Sequence, residues 1–142
     1  MDDFHTVVVG TDGSNSSLRA VDRAAQLAGK LGARLIVATA YIPTSDHAEH
    51  KDYRTSGDAN TYAILQEAKE RAITAGASLV EERAVVGSPV DVLAKLAEEV
   101  DADLLVVGNV GINTITGRLL GSVPANVLRR TKRDVLVVHT SD

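Results

Sequence analysis

Short apolar runs alternate with stretches of helical periodicity along the chain, and this alternation limits the possible fold more than any other feature. Four runs are continuously apolar or nearly so and rich in β-branched residues: Thr6–Val9, Leu35–Val37, Leu104–Val107 and Val135–Val138. Such runs are typical of strands in a parallel sheet that is covered on both faces. Leu79–Val86, in which apolar and charged residues partly alternate, is a fifth candidate and suits an edge strand.

Two of the predicted helices lie in the first half of the chain. Apolar residues recur at three- and four-residue steps over Leu18–Leu31, and this spacing gives a helix one apolar stripe. Gly29 and Gly32 lie where the end of that helix is expected. A second helix is predicted over Ala59–Ala75, with Gly76 as its stop.

The other two helices are predicted from their start signals. Ser88 has the character of an N-cap, Pro89 suits the first helical position, and Asp91 is placed to reach back to the cap. A short fourth helix is expected over Pro124–Arg130.

The order β-α-β-α-β-α-β-α-β predicts an α/β fold, with parallel strands joined by right-handed helical crossovers. A length of 142 residues fits one domain, 1–142, with one core. In such doubly wound sheets, ligands bind beyond the carboxyl ends of the strands, where the strand order reverses. This places the Thr11–Ser14 segment beside the segment that begins at Gly108.

Composition and charge limit the kinds of binding partner that the protein can have. A net charge of −4 argues against a general binder of nucleic acid. The one basic cluster, Arg129–Arg133, either complements the dipole of a helix C-terminus or contacts a polyanion. The chain has no cysteine, no apolar run of membrane-spanning length and no signal-peptide pattern at Met1–His5. We therefore expect a cytoplasmic protein with no nucleic-acid and no membrane partner.

The richest motif is Gly108-Asn109-Val110-Gly111, followed after nine residues by Gly121-Ser122. It starts where a buried strand ends and finishes where a helix begins. Such a loop can present backbone N–H groups to a phosphate, helped by the dipole of the helix. The alternative is a glycine-rich connection in which Ser122 only caps its helix.

Asp12 follows the first strand, where a carboxylate can accept hydrogen bonds from ribose hydroxyls. Alternatively, Asp12 and Gly13 form a turn, and Asp12, Ser14 or Ser16 caps the first helix. Both descriptions can hold together. Arg118 either meets a phosphate or points to solvent.

Several chemistries lack their motifs. There is no G-x-x-x-x-G-K-[ST], no G-x-G-x-x-G after the first strand and no G-x-S-x-G. No Asp or Glu lies between Gly108 and Ser122 to hold Mg²⁺. We predict no catalytic residues and no metal site. The polar segment Pro43–Gly57 is either a lid over the ligand or a solvated excursion.

The glycine motif, together with Val9-Gly10-Thr11-Asp12-Gly13-Ser14, resembles the nucleotide-binding branch of the universal stress protein family over the whole chain. The resemblance implies a Rossmann-like sandwich of the adenine nucleotide alpha hydrolase type, with strand order 3-2-1-4-5. It also implies a homodimer paired through Val135–His139, which agrees with the unprotected apolar edge there. The stretch Gly117–Val127 and the start of the chain further resemble mycobacterial members that bind cyclic AMP.

The ligand implied by the resemblance is an adenine nucleotide, cAMP or ATP/AMP, with Mg²⁺ only if ATP is bound. Asp12 would lie at the sugar, the glycine motif at phosphate and ribose, and the backbone at Ala38–Ala40, after the second strand, at adenine. The full set of candidate nucleotide-binding residues is Gly10, Thr11, Asp12, Gly13, Ser14, Ala38, Ala40, Gly108, Asn109, Gly111, Arg118, Gly121, Ser122 and Val123.

The leading hypothesis is a cytosolic nucleotide sensor or buffer without efficient turnover. Two alternatives remain: a slow ATPase or self-phosphorylating protein with Ser122 or Thr114 as acceptor, and a dimeric interaction protein that acts without a ligand.

Overall fold

The computed structural model describes residues 4–41, 59–109 and 122–140, and strands and helices alternate along them as predicted. In chain order the elements are β1 (Thr6–Gly10), α1 (Asn15–Leu31), β2 (Arg34–Tyr41), α2 (Ala59–Ala75), β3 (Leu79–Val86), α3 (Pro89–Glu99), β4 (Leu104–Gly108), α4 (Ser122–Arg130) and β5 (Val135–Val138).

The five strands form one parallel sheet in the order β3-β2-β1-β4-β5, which confirms the expected α/β fold and strand order. From β1 the chain builds outward through β2 and β3 on one side, and then returns to add β4 and β5 on the other. The strand order therefore reverses between β1 and β4. Val9 of β1 pairs with Val37 of β2 and with Val106 of β4, so the carboxyl ends of these strands lie close together.

Helices cover both faces of the sheet, which explains why its central strands are continuously apolar. On one face, Val7 and Val9 of β1 belong to a buried cluster with residues of α1 and α2. On the other face, Val8 belongs to a second cluster with residues of α3 and with Val127 of α4.

Some element boundaries differ from the predicted ones. The second strand was expected over Leu35–Val37 but runs over Arg34–Tyr41, because it pairs with β3 along its whole length. Pairing with a neighbouring strand here outweighs the low strand propensity of alanine. The helix α4 begins at Ser122, two residues before the predicted start at Pro124.

The two glycines at the end of α1 have different roles. Gly32 caps the helix in the left-handed conformation, with a φ of 67°, as predicted. Gly29, by contrast, lies inside the helix, and a Cβ added there would collide with the backbone carbonyl of Gly76. Gly29 therefore lies near the helix end, as expected, but does not cap it: it is a packing residue between α1 and the loop after α2.

The start of α3 also departs from the predicted capping box. Pro89 occupies the first turn, and the N–H of Val92 donates to the Ser88 carbonyl at 2.9 Å. The Ser88 hydroxyl makes no cap hydrogen bond; it donates to Asp91 Oδ2 at 3.0 Å. Asp91 pairs with Arg130 of α4. Asp91 thus reaches back to Ser88, as predicted, but through the Ser88 hydroxyl and not a backbone N–H, and it also joins α3 to α4.

The basic cluster lies at the end of α4, as expected, and two of its members make ion pairs. Arg130 contacts Asp91, while Arg133 contacts Glu98 at 3.1 Å and Asp101 at 2.6 Å. Among the helices of the described ranges, none has the length and hydropathy required to cross a membrane.

Candidate functional site

The turn between β1 and α1 is held by a compact set of hydrogen bonds. The N–H of Thr11 donates to the Ala38 carbonyl at 2.9 Å, which fixes the exit of β1 against β2. The Thr11 hydroxyl is buried, lies 2.9 Å from Ser17 Oγ and accepts the N–H of Gly13 at 3.1 Å. The backbone of this turn is therefore preorganised by its own side chains.

Asp12 forms an Asx turn and also keeps an acceptor available. Its Oδ1 accepts the N–H of Ser14 at 2.9 Å. Within the described residues, Oδ2 has no hydrogen-bond partner. Ser14 caps α1, because its hydroxyl accepts the N–H of Ser17 at 3.1 Å. The turn interpretation of Asp12 is thus confirmed, and its role toward a ligand stays a prediction.

Gly13 requires glycine on two grounds. Its φ is +86°, in the left-handed region that L side chains rarely adopt. A Cβ added there would also lie 3.0 Å from Ile64 Cγ1 of α2. The second helix therefore packs directly against the turn that carries Asp12.

The exit of β4 touches the first turn of α1. Gly108 pairs with Val138 of β5. A Cβ added to Gly108 would lie 3.3 Å from Thr140 Cγ2 and 3.6 Å from Ser16 Oγ. Gly108 therefore lies beside the first turn of α1. We call the space above the exits of β1 and β4 the switch-point crevice, defined by residues 10–14 and by Gly108 and Asn109.

Asn109 has a structural role that its sequence context did not reveal. Its Oδ1 accepts the N–H of Thr140 at 2.7 Å and the Thr140 hydroxyl at 3.0 Å. Its backbone N–H donates to the Val138 carbonyl at 2.8 Å. The side chain of Asn109 therefore anchors the residue beyond β5, and a role in binding the ligand stays a prediction.

The predicted placement of the Ala38–Ala40 backbone is wrong in one respect. These residues lie inside β2 and not beyond it, because Ala40 still pairs with Val85 of β3. The Ala38 carbonyl already accepts the N–H of Thr11, and a carbonyl oxygen has one further lone pair.

Of the remaining candidate nucleotide-binding residues, only some lie within the described residues. Gly111, Arg118 and Gly121 lie outside the described residues. Ser122 and Val123 form the first turn of α4, so the end of the glycine motif is the N-terminus of a helix, as expected. Their roles toward a ligand stay predictions.

Elsewhere in the fold, the carboxylates of Asp91 and Asp103 have lowered pKa values. Hydrogen bonds from Arg130 and then Ser88 lower the pKa of Asp91. The pKa of Asp103 is lowered mainly by the hydrogen bond from the His5 N–H. Both shifts follow from contacts that join structural elements. The described part of the chain contains no group of three or more His, Asp or Glu side chains placed to hold a metal ion.

Sequence reasoning missed two residues around the crevice, Ser17 and Thr140, and considered Ser16 only as a cap of the first helix. Ser17 stands three positions after the cap Ser14, a spacing that signals a contact within the first helical turn. Thr140 is buried and meets both Asn109 and Ser16, yet no local pattern marks it, because its partners lie 31 and 124 positions away.

The fold and the crevice together define a doubly wound α/β protein of the kind that binds ligands at its switch point. Residues 3–139 match the model of the universal stress protein family. The universal stress protein Rv1636 of Mycobacterium tuberculosis is 61% identical over 147 residues, covering 99% of this chain and 100% of that protein. This chain belongs to the universal stress protein family.

Two solved structures of relatives contain a nucleotide. A universal stress protein in complex with cAMP is 63% identical, has a TM-score of 0.82, and the match covers 99% of this chain and 100% of that one. The universal stress protein of Archaeoglobus fulgidus in complex with dAMP is 25% identical, with a TM-score of 0.72, over 96% and 99% of the two chains.

Proposed function

We propose that this protein binds an adenine nucleotide in the switch-point crevice. The observation that carries the proposal is the close approach of the Gly108 exit to the first turn of α1, beside Asp12, whose Oδ2 has no hydrogen-bond partner among the described residues. This geometry brings an acceptor for hydroxyls next to the start of a glycine loop. The cAMP and dAMP bound by the two relatives support an adenine nucleotide as the ligand.

In this proposal, Asp12 Oδ2 accepts hydrogen bonds from the ribose. The phosphate lies at the amides of Gly108, Gly111 and Gly121 and at the helix N-terminus that begins with Ser122, where the helix dipole favours an anion. The adenine lies along the carboxyl end of β2, near Ala40.

The protein acts, in our proposal, as a cytoplasmic nucleotide sensor or buffer without efficient turnover. No acidic residue stands between Gly108 and Ser122 to hold Mg²⁺ against a triphosphate, and this supports binding over hydrolysis. Incubation with γ-labelled ATP and Mg²⁺ tests the point. Steady release of phosphate, or label on the protein, that is lost in Gly121→Ala would favour the enzymatic alternative.

Isothermal titration with cAMP, AMP, ADP and ATP tests the proposed function. We expect saturable heat with at least one of the four, and Gly111→Ala should weaken that binding because a Cβ intrudes where backbone approaches the phosphate. Gly32→Ala is the control, since Gly32 caps the far end of α1 with open space around it. No heat with any nucleotide, or an unchanged Kd for Gly111→Ala, would contradict the proposal. Competition between cAMP and ATP, with and without Mg²⁺, then fixes the preferred ligand.

The proposal also includes a homodimer formed through the edge strand β5, at Val135–His139. Val137 on this strand is 40% exposed, and the strand has no described neighbour on its outer side. An apolar edge of this kind is commonly covered by a second strand.

A further inference from the structure

Thr140, two residues beyond β5, is buried although it lies in no strand or helix. Its exposed fraction is 3%, and three other residues form hydrogen bonds with it. Arg19 of α1 donates to its carbonyl at 2.7 Å. Its N–H and its hydroxyl both donate to Asn109 Oδ1, at 2.7 and 3.0 Å. Its hydroxyl oxygen also contacts the Ser16 hydroxyl.

The directions of these hydrogen bonds follow from counting protons. The single proton of the Thr140 hydroxyl goes to Asn109 Oδ1, which as an amide oxygen can only accept. The Ser16 hydroxyl must therefore donate to Thr140 Oγ1. The result is a hydrogen-bond relay that runs in one direction, from Ser16 through Thr140 to Asn109. A methyl group in place of the Thr140 hydroxyl would break both of its hydrogen bonds.

This hydrogen-bond relay joins the two walls of the switch-point crevice. Ser16 lies in the first turn of α1, two positions after the cap Ser14. Asn109 is the second residue of the glycine motif and follows directly on β4. Thr140 Cγ2 also lies 3.3 Å from where a Cβ on Gly108 would stand, so the threonine fills the space that this glycine leaves.

We infer that Thr140 is a positioning residue for the nucleotide, because it sets the start of the glycine motif relative to the turn that carries Asp12. The inference rests on the proposed function. Thr140 need not touch the ligand: it fixes Asn109 and Ser16, and through them the spacing between the groups proposed to bind phosphate and ribose. Hydrogen bonds in series restrain the segments they connect, and here they are partly shielded from water.

The test compares the nucleotide Kd of Thr140→Val with that of Thr140→Ser, using the nucleotide that binds the wild-type protein. Valine keeps the shape and removes the hydroxyl, so we expect a Kd weakened about tenfold. Serine keeps the hydroxyl chain, so its Kd should stay within about twofold of the wild-type value. The Kd is measured well below the Tm of each variant, so that loss of stability alone does not change it.

Thr6→Val is the matched control. Thr6 is also buried, 6% exposed, and its hydroxyl accepts from Arg34 at 3.3 Å, but it begins β1 at the opposite end of the strand from the crevice. We expect a lowered Tm with an unchanged Kd.

The outcomes distinguish the positioning role of Thr140 from the proposed nucleotide binding. If the wild-type protein binds a nucleotide and Thr140→Val binds it equally well, the positioning role is overturned while the proposed function stands. If the wild-type protein binds none, both are overturned. If Thr140→Val does not fold, Ser16→Ala removes the hydroxyl that donates to Thr140. An unchanged Kd for that variant overturns the inference.

Discussion

Gly29 and Gly32 stand three positions apart in the sequence and have different structural roles. Gly32 supplies a left-handed cap with open space around it, whereas Gly29 lets α1 approach the backbone of Gly76. Local sequence signals the cap, because a glycine after an apolar stripe commonly ends a helix. It cannot signal the close approach, which depends on a residue 47 positions away.

Gly29→Ala is therefore expected to be the more damaging of two matched substitutions. A Cβ at Gly29 meets backbone atoms that cannot rotate away, so we expect a loss of about 2 kcal/mol or more in the free energy of unfolding. Gly32→Ala should cost about 1 kcal/mol, because only the left-handed φ is penalised. Urea denaturation of the two variants checks the order; equal losses would contradict the described packing of α1.

The residues of the site were predictable where they follow a strand and obscure where they depend on distant partners. Gly108 and Asp12 were identified because they follow apolar runs, directly for Gly108 and after two residues for Asp12, and parallel topology makes such positions neighbours. Thr140 escaped prediction because its burial arises from contacts across the sheet. Ala38–Ala40 was misplaced because the pairing of β2 with β3, and not local composition, decides where β2 ends.

At the scale of elements, the amino ends of β1 and β4 are joined by Asp103. Its Oδ2 accepts the N–H of His5 at 2.7 Å and that of Thr6 at 3.0 Å. These bonds favour the charged carboxylate and lower its pKa in the folded protein. The elements of the described ranges were anticipated because apolar runs, helical periodicity and helix start signals are all local. Hydrogen bonds such as these two join residues 97 and 98 positions apart.

Asp103→Asn should lower the stability of the protein at neutral pH and much less at acid pH. A folded-state pKa below the unfolded value contributes stability that is present above the unfolded pKa, about 3.9, and lost as pH falls through the folded pKa. We expect a loss of about 1 kcal/mol at pH 7, because asparagine still accepts but without charge. The control Glu99→Gln removes the same charge at an exposed position of α3. A pH-independent loss for Asp103→Asn would refute this account.

At the scale of the whole molecule, the alternation of elements established a parallel sheet but not the order of its strands. Right-handed crossovers allow several orders, and the order 3-2-1-4-5 came from the family resemblance. The order matters for function, because it creates the crevice between β1 and β4 and leaves β3 and β5 as the two edges.

The proposed homodimer predicts that the two edges respond differently to charge. Val137→Asp places a carboxylate on the exposed side of β5, so we expect a monomer by sedimentation equilibrium at concentrations where the wild-type protein is dimeric. Val86→Asp is the matched control, since Val86 is 57% exposed at the end of β3, and it should leave the dimer intact. A dimer that survives Val137→Asp would argue for another interface.

The central claim is the location of the nucleotide, and an NMR titration of the ¹⁵N-labelled protein tests it most directly. With cAMP, and in parallel with ATP, we predict that the largest amide shifts occur at residues 11–14 and at Gly108 and Asn109. The groove between α1 and α2, lined by Asp22, Glu67 and Arg71, should stay unchanged. Shifts confined to that groove, or none at saturating nucleotide, would contradict binding at the switch-point crevice.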